Sequence, residues 1–243
     1  MRKNKAILIV GVGGLGVPAA LAIARSHYIA RLGLVDPDPV DGTNLHRQVI
    51  YTGSDIGQLK VEAAARHLRD IDCELEIEKF PVAVDADNAR GIIERFDFMI
   101  DGTDSPAAKF LLNDIAIATG TPFVYGGVLG VTGQAMTVFP GHTACLRCLF
   151  ENAPDPDEVA NCREAGILGS VAGAIGNLQG QEALSIASGR EPRLSGGILT
   201  YDGAGPARVR FTRVNPRSRC VCGAFERAIV RSAPAHQPEE GTR

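Results

Sequence analysis

Six residues near the start, Gly11-Val12-Gly13-Gly14-Leu15-Gly16, follow a short apolar run and precede an Ala- and Leu-rich stretch. A strand that ends in such a glycine turn and then enters a helix offers backbone N–H groups, and the positive end of the helix, to a phosphate. Asp36 lies twenty residues beyond Gly16, at the end of a second apolar run. There a carboxylate can accept from ribose hydroxyls. Together these residues read as a nucleotide site, and by themselves they do not separate ATP from NAD or FAD.

A second group with chemical potential is sulfur. Cys145-Leu146-Arg147-Cys148 has knuckle spacing, and Cys220-Val221-Cys222-Gly223 could close a tetrahedral thiolate site of the structural zinc kind. The second pair is C-x-C, with Arg219 where the usual spacing puts a sulfur, and His142, three residues before Cys145, is an alternative ligand. The competing reading is a set of free buried cysteines. Cys162 stands in Asn161-Cys162-Arg163-Glu164, after a Pro- and acid-rich segment and before a long helical pattern. A thiol beside an arginine at a helix start should have a lowered pKa and act as a nucleophile; otherwise it is a small helix-start residue. Cys73, before a strand, reads as packing.

The elements that would position these groups alternate between periods. Lys5–Val10 is a strand, Val17–Ser26 a helix, Arg31–Val35 a strand, and Ile56–Leu68 a helix behind an Asp55 cap. Leu75–Phe80, Asp87–Phe96 and Phe98–Asp101 continue as strand, helix, strand, and Ala107–Thr119 as a further helix. This alternation predicts an α/β fold with a Rossmann-like parallel sheet and helices on both faces. Phe123–Val128 and Ala135–Phe139 are too close for a crossover, and Ala207–Val214 closes a hairpin with Ile198–Tyr201, so antiparallel strands continue the sheet. Glu151–Glu158 reads as an exposed loop. Ala165–Ser188 forms a long helix whose glycines at 166, 169, 173, 176 and 180 permit close packing, which makes it a candidate dimer surface. We expect one domain over residues 1–231, with a nucleotide-binding half to about 120 and a second half, bearing the paired cysteines, after it, and a disordered tail over 232–243.

Composition excludes several classes. Of 243 residues, 22% are charged with a formal net charge of −3, so no basic field suits nucleic acid. Aromatic residues make up 5% and there is no Trp, which argues against base-stacking platforms. Met1–Lys5 is basic and Ala6–Ala24 uncharged, as in a secretory signal. Four glycines and Pro18 inside that stretch oppose a membrane-inserting helix, since each glycine costs a helix about 1 kcal/mol and proline about 3. No other apolar run reaches the ~20 residues a bilayer needs, so a cytoplasmic protein without membrane contact is expected.

Longer segments are more specific than the glycine turn. Asp36-Pro37-Asp38-Pro39-Val40-Asp41-Gly42-Thr43-Asn44-Leu45-His46-Arg47-Gln48, then Gly57-Gln58-Leu59-Lys60, then Thr103-Asp104-Ser105 occur in that order. From about Ala6 to Gly223 the chain resembles the ThiF/MoeB/HesA family, relatives of the ubiquitin-activating enzymes, whose motifs are D-x-D-x-V-x-x-x-N-L-x-R-Q, G-x-x-K and T-D-[NS]. The resemblance implies ATP-dependent adenylation of the C-terminal Gly-Gly carboxylate of a ubiquitin-like sulfur-carrier protein, serving thiamin or molybdopterin biosynthesis. By resemblance, Gly11, Gly13, Gly14 and Gly16 cradle phosphate, Arg47 and Lys60 contact the triphosphate, and Asn44 and Gln48 help position it. Asp36 holds the ribose, and Asp104 binds Mg²⁺ or orients the attack. Cysteines 145, 148, 220 and 222 then correspond to a family zinc site with C-x-x-C at both places, and Cys162 to the position of covalent sulfur transfer.

The family also implies a homodimer. Its members usually begin with a short Arg-bearing helix that reaches the partner's ATP site, whereas this chain opens almost directly on its first strand. No rhodanese-like extension follows Gly223, so a separate sulfur donor is expected. Two rival readings remain at this stage. An NAD-dependent oxidoreductase uses the glycine turn and Asp36 alone, and a non-catalytic nucleotide-binding scaffold would have lost the N-terminal arginine.

Overall fold

The computed structural model describes residues 5–153, 166–206 and 208–222. Cys162 and the tail expected over 232–243 lie outside the described residues. Strands β1 (Lys5–Val10), β2 (Ile29–Val35), β3 (Glu76–Phe80), β4 (Phe98–Asp101), β5 (Phe123–Leu129), β6 (Thr132–Val138), β7 (Gly197–Asp202) and β8 (Arg208–Arg213) form one sheet in the order β3-β2-β1-β4-β5-β6-β7-β8. The pairs from β3 across to β5 are parallel; the pairs from β5 to β8 are antiparallel. The central parallel strands β1 and β4 are apolar and buried almost throughout, as Ala-Ile-Leu-Ile-Val in β1 shows, because both of their faces are covered, whereas the edge strand β3 is Glu-Ile-Glu-Lys-Phe.

Helices α1 (Gly16–Ala24), α2 (Lys60–Ile71) and α6 (Gly169–Ser188) cover one face. Their residues Val17, Ile23, Val61, Leu68 and Ala183 pack with Ile7, Ile9, Leu34 and Ile100 of the sheet. On the other face, α3 (Ala89–Ile93), α4 (Pro106–Thr119) and α5 (Leu146–Leu149) pack Ile93, Leu112, Ala116 and Leu146 against Leu8, Val10, Met99 and Phe123. Helix α4 has a complete set of end signals. Ser105 caps it by accepting from Ala108 N–H, Pro106 occupies the first turn, and Gly120 ends it at φ 71°. Among the described residues no helix is long and apolar enough to cross a membrane.

Two expectations change. The second helix starts at Lys60 rather than Ile56. Residues before it are held extended: Val40 N–H donates to Gln58 C=O, Gly57 N–H to Val40 C=O, and Leu59 bridges Pro39. Gly57 adopts φ 84°, a backbone that favours glycine and interrupts any helix. Asp55 caps a separate turn over Gly53–Asp55 with Thr52, and its buried carboxylate also pairs with Arg66 and with His67 Nε2 of α2. Cys73 is exposed rather than packed.

The glycines of α6 do most of their packing within the chain. A β-carbon at Gly176 would collide with the Leu15 carbonyl oxygen, and one at Gly180 would lie 2.8 Å from Ala22 Cβ. Small residues thus let α6 approach α1 closely, while a β-carbon at Gly173 would meet open space. Gly176→Val forces these helices apart, and the expected loss is about 1–3 kcal/mol of stability, read as a lower denaturant midpoint.

Candidate functional site

The chain reverses its direction of travel across the sheet between β1 and β4, where open α/β sheets leave a crevice at the carboxyl ends of the strands. The glycine turn follows β1 there, and the segment Gly102–Ser105 follows β4. The two loops meet backbone to backbone. A β-carbon at Gly11 would lie 2.7 Å from the carbonyl carbon of Gly102, and one at Gly102 would lie 2.8 Å from the carbonyl oxygen of Gly11. Gly11 also needs φ 88°, and a side chain on Gly16 would collide with Gly11 C=O. Only glycine fits these contacts, so the turn closes tightly onto the start of α1.

Asp36, the first residue after β2, is buried and accepts from Val12 N–H at 2.8 Å and from Asp38 N–H at 3.0 Å. Burial pushes its carboxyl up, against the pull of Lys60 and these two N–H donors. Lys60 is the first residue of α2, and its N–H donates to Asp38 C=O at 3.0 Å. Its buried ammonium lies 2.8 Å from Asp38 Oδ2 and 3.5 Å from Asp36 Oδ1. The extended stretch before α2 is therefore what delivers Lys60 to Asp36.

Asn44 ends a short turn over Gly42–Asn44, and its carbonyl accepts from the N–H groups of Arg47 and Gln48 at 3.1 and 3.0 Å. That turn aims both side chains at the glycines. A β-carbon at Gly14 would lie 3.6 Å from Cγ and Cδ of Arg47, and one at Gly13 would lie 3.5 Å from Gln48 Nε2. The amino end of α6 closes in on the same segment, since a β-carbon at Gly169 would lie 2.9 Å from His46 C=O. Gln48 is buried, and its Oε1 has no hydrogen-bond partner among the described residues. An orphaned buried acceptor beside a glycine turn fits a site completed by a ligand.

Asp104 is exposed on the β4 loop, two residues beyond the Gly102 contact. The loop is shaped by Asp101, whose carboxylate accepts from Thr103 N–H and Oγ and faces the buried Lys109 ammonium at 3.2 Å. Lys109 also donates to Gly126 C=O at 2.5 Å, and Gln179 Nε2 of α6 donates to Asp101 C=O at 2.7 Å. The structure thus brings Gly11, Gly13, Gly14, Gly16, Asp36, Arg47, Gln48 and Lys60 together, with Asn44 on the turn that carries Arg47 and Gln48 and Asp104 two residues beyond the Gly102 contact.

Sequence reasoning missed Tyr51, whose buried hydroxyl donates to Val12 C=O at 2.8 Å. It also missed Lys109 and Gln179. A buried lysine one turn inside an apolar helix is a signal that could have found Lys109; Tyr51 acts on a carbonyl and leaves none.

Farther along the same face as α4, Cys145, Cys148, Cys220 and Cys222 place their sulfurs within 4.8 Å of one another. Cys145 and Cys220 are 3.5 Å apart, Cys148 and Cys222 3.4 Å. The C-x-C spacing is therefore compatible with a closed four-sulfur group, and His142 is exposed and outside it. Asn113 Oδ1 accepts from Leu146 N–H, and Arg147 grips Asp114 with two bonds of 2.6 and 2.7 Å, fastening this turn to α4. Burial pushes the Cys145 thiol up to about 12 and raises Cys222 as well. Burial also opposes ionisation of Cys148, but the Arg217 N–H 3.3 Å from its sulfur helps to bring its pKa down. Four such thiols suit a soft, tetrahedral metal ion.

The ThiF family model matches residues 2–224. The adenylyltransferase and sulfurtransferase MOCS3 of Culex quinquefasciatus is 39% identical over 202 residues, covering 83% of this chain and 46% of that protein. The sulfur carrier protein adenylyltransferase of Thermus thermophilus is 36% identical over 228 residues, 91% of this chain and 83% of that protein. The chain spans about half the length of the MOCS3 relatives. E. coli MccB solved with ATP shares the fold at a TM-score of 0.77 and 21% identity, over 90% of this chain and 66% of that one. With a family match across nearly all its length and these identities, the chain belongs to the ThiF family.

Proposed function

We propose that this protein uses ATP to adenylate the C-terminal Gly-Gly carboxylate of a ubiquitin-like sulfur-carrier protein, for thiamin or molybdopterin biosynthesis. The observation that carries the reading is the convergence of Arg47, Gln48 and Lys60 on the glycine turn that Asp36 holds. An oxidoreductase reading leaves Arg47, Lys60 and the four cysteines without a use.

In the reaction, a carboxylate oxygen of the carrier bonds to the α-phosphorus and the bond to the β-phosphate breaks, releasing pyrophosphate. Two anions must meet, so the protein's main task is to offset charge and hold geometry. The glycine N–H groups and the start of α1 take phosphate oxygens. Arg47, lying over Gly14, and Lys60, lying beside Asp36, supply positive charge on two sides. Asp36 accepts from the ribose, Asn44 and Gln48 fix the triphosphate, and Asp104 holds Mg²⁺ or orients the attacking group. Mg²⁺, when bound, would neutralise charge developing on the pyrophosphate.

Homodimerisation and a separate sulfur donor belong to the same proposal, as does Cys162 as the nucleophile that takes the activated carrier. So does a structural Zn²⁺ on cysteines 145, 148, 220 and 222. Four buried thiols within 4.8 Å of one another are the donor set that would hold such an ion.

Carrier-dependent exchange between ATP and labelled pyrophosphate tests the activity, because a dehydrogenase and a passive scaffold both forbid it. Arg47→Ala should slow that exchange by at least ~10², comparable with removing one transition-state donor; an unchanged rate removes Arg47 from the mechanism. For the cysteines, we expect one zinc per chain by elemental analysis of freshly purified, reduced protein. Cys222→Ser should lose the metal and lower the melting temperature, and a metal-free wild-type protein of equal stability would refute the zinc assignment.

A further inference from the structure

We infer that Tyr51 is a positioning residue that sets the affinity for the nucleotide's phosphates by aiming the Gly13 N–H of the glycine turn. The inference rests on the adenylation reading above, in that it takes the turn as the phosphate site.

The peptide linking Val12 to Gly13 is planar and trans, so its carbonyl and its N–H point in opposite directions. Tyr51 Oη donates to that carbonyl at 2.8 Å, with Lys60 C=O as a longer second acceptor at 3.3 Å. Pulling the carbonyl toward Tyr51 turns the Gly13 N–H away from the protein side of the loop. Among the described residues no backbone carbonyl accepts from Gly13 N–H. The preceding peptide is tied as well, because Val12 N–H donates to Asp36 Oδ2 at 2.8 Å. Rotation of the peptide on either side of Val12 therefore breaks a buried hydrogen bond.

Tyr51 suits this task for three reasons. It is 5% exposed, so water does not compete for Val12 C=O. Burial, together with the charges of Asp36 and Asp55, pushes its phenol pKa up, which keeps the hydroxyl protonated and donating. Its longer contact, to Lys60 C=O, links the glycine loop to the backbone of the first residue of α2.

Tyr51→Phe removes the hydroxyl and leaves the ring. Binding of labelled ATP with Mg²⁺ to the full chain, by equilibrium dialysis, should show a dissociation constant raised about five- to tenfold with unchanged stoichiometry. In pyrophosphate exchange, KM for ATP should rise by the same factor, while kcat and KM for the carrier stay within about twofold. A purely structural contribution would instead lower the melting temperature and the number of sites while leaving the dissociation constant at the wild-type value, and that result overturns the inference. If wild-type protein binds no ATP, the adenylation reading fails with it; if wild type binds and Tyr51→Phe binds equally well, only the role of Tyr51 fails. A second measurement needs no variant. In ¹⁵N-glycine spectra of the wild-type protein the Gly13 N–H should move on adding ATP and Mg²⁺, and an unmoved resonance at saturation refutes the assignment.

Discussion

Backbone-to-backbone contact between two loops is the constraint on which the rest of the site depends. Gly11, Gly16 and Gly102 let the turn after β1 touch the loop after β4 with no side chain between them. A methyl group at Gly11 or Gly102 would force the loops apart. The topology explains where this happens. Strand order β2-β1-β4 puts the reversal of the chain's path between β1 and β4, and the loops on either side diverge except where these glycines pull them together.

Charge is arranged around that contact in opposing layers. Asp36 is anchored by backbone N–H groups from Val12 and Asp38, and Lys60 is anchored by Asp36 and Asp38. A lysine buried without partners would lose its proton or leave the interior. Here two carboxylates, Asp36 and Asp38, pair with the Lys60 ammonium. On the β4 side the same device recurs, with Lys109 against Asp101 and Gly126 C=O, and Gln179 of α6 holding the backbone at Asp101. Helix α6 reaches this point because Gly176 and Gly180 admit it to α1.

Much of this was legible in the sequence for reasons of pattern. Doubly covered parallel strands are unbroken apolar runs, and β1 and β4 read as such. The glycine turn and the Asp36–Gln48 segment are each an unbroken run of residues and carry their meaning in order. The start of α2 was not legible, because Ile56 and Leu59 continue the helical spacing while Gly57 and pairing with Pro39 and Val40 keep them extended. The glycines of α6 announce close packing but not its partner, which for Gly176 and Gly180 is α1 of the same chain. Tyr51, Lys109 and Gln179 bind backbone carbonyls, and a carbonyl has no letter in the sequence. The cysteine group was readable only in part: two pairs are visible, but whether C-x-C can close depends on where β8 delivers residue 220.

Adenylation requires the attacking carboxylate to meet the innermost phosphorus of ATP. Intact mass spectrometry of a purified carrier ending in Gly-Gly, incubated with this protein, ATP and Mg²⁺, tests it directly. The expected product is a carrier heavier by one adenylyl group, with pyrophosphate released in equal amount. A carrier heavier by one phosphoryl group with ADP released, or an unmodified carrier beside bound and intact ATP, would contradict it.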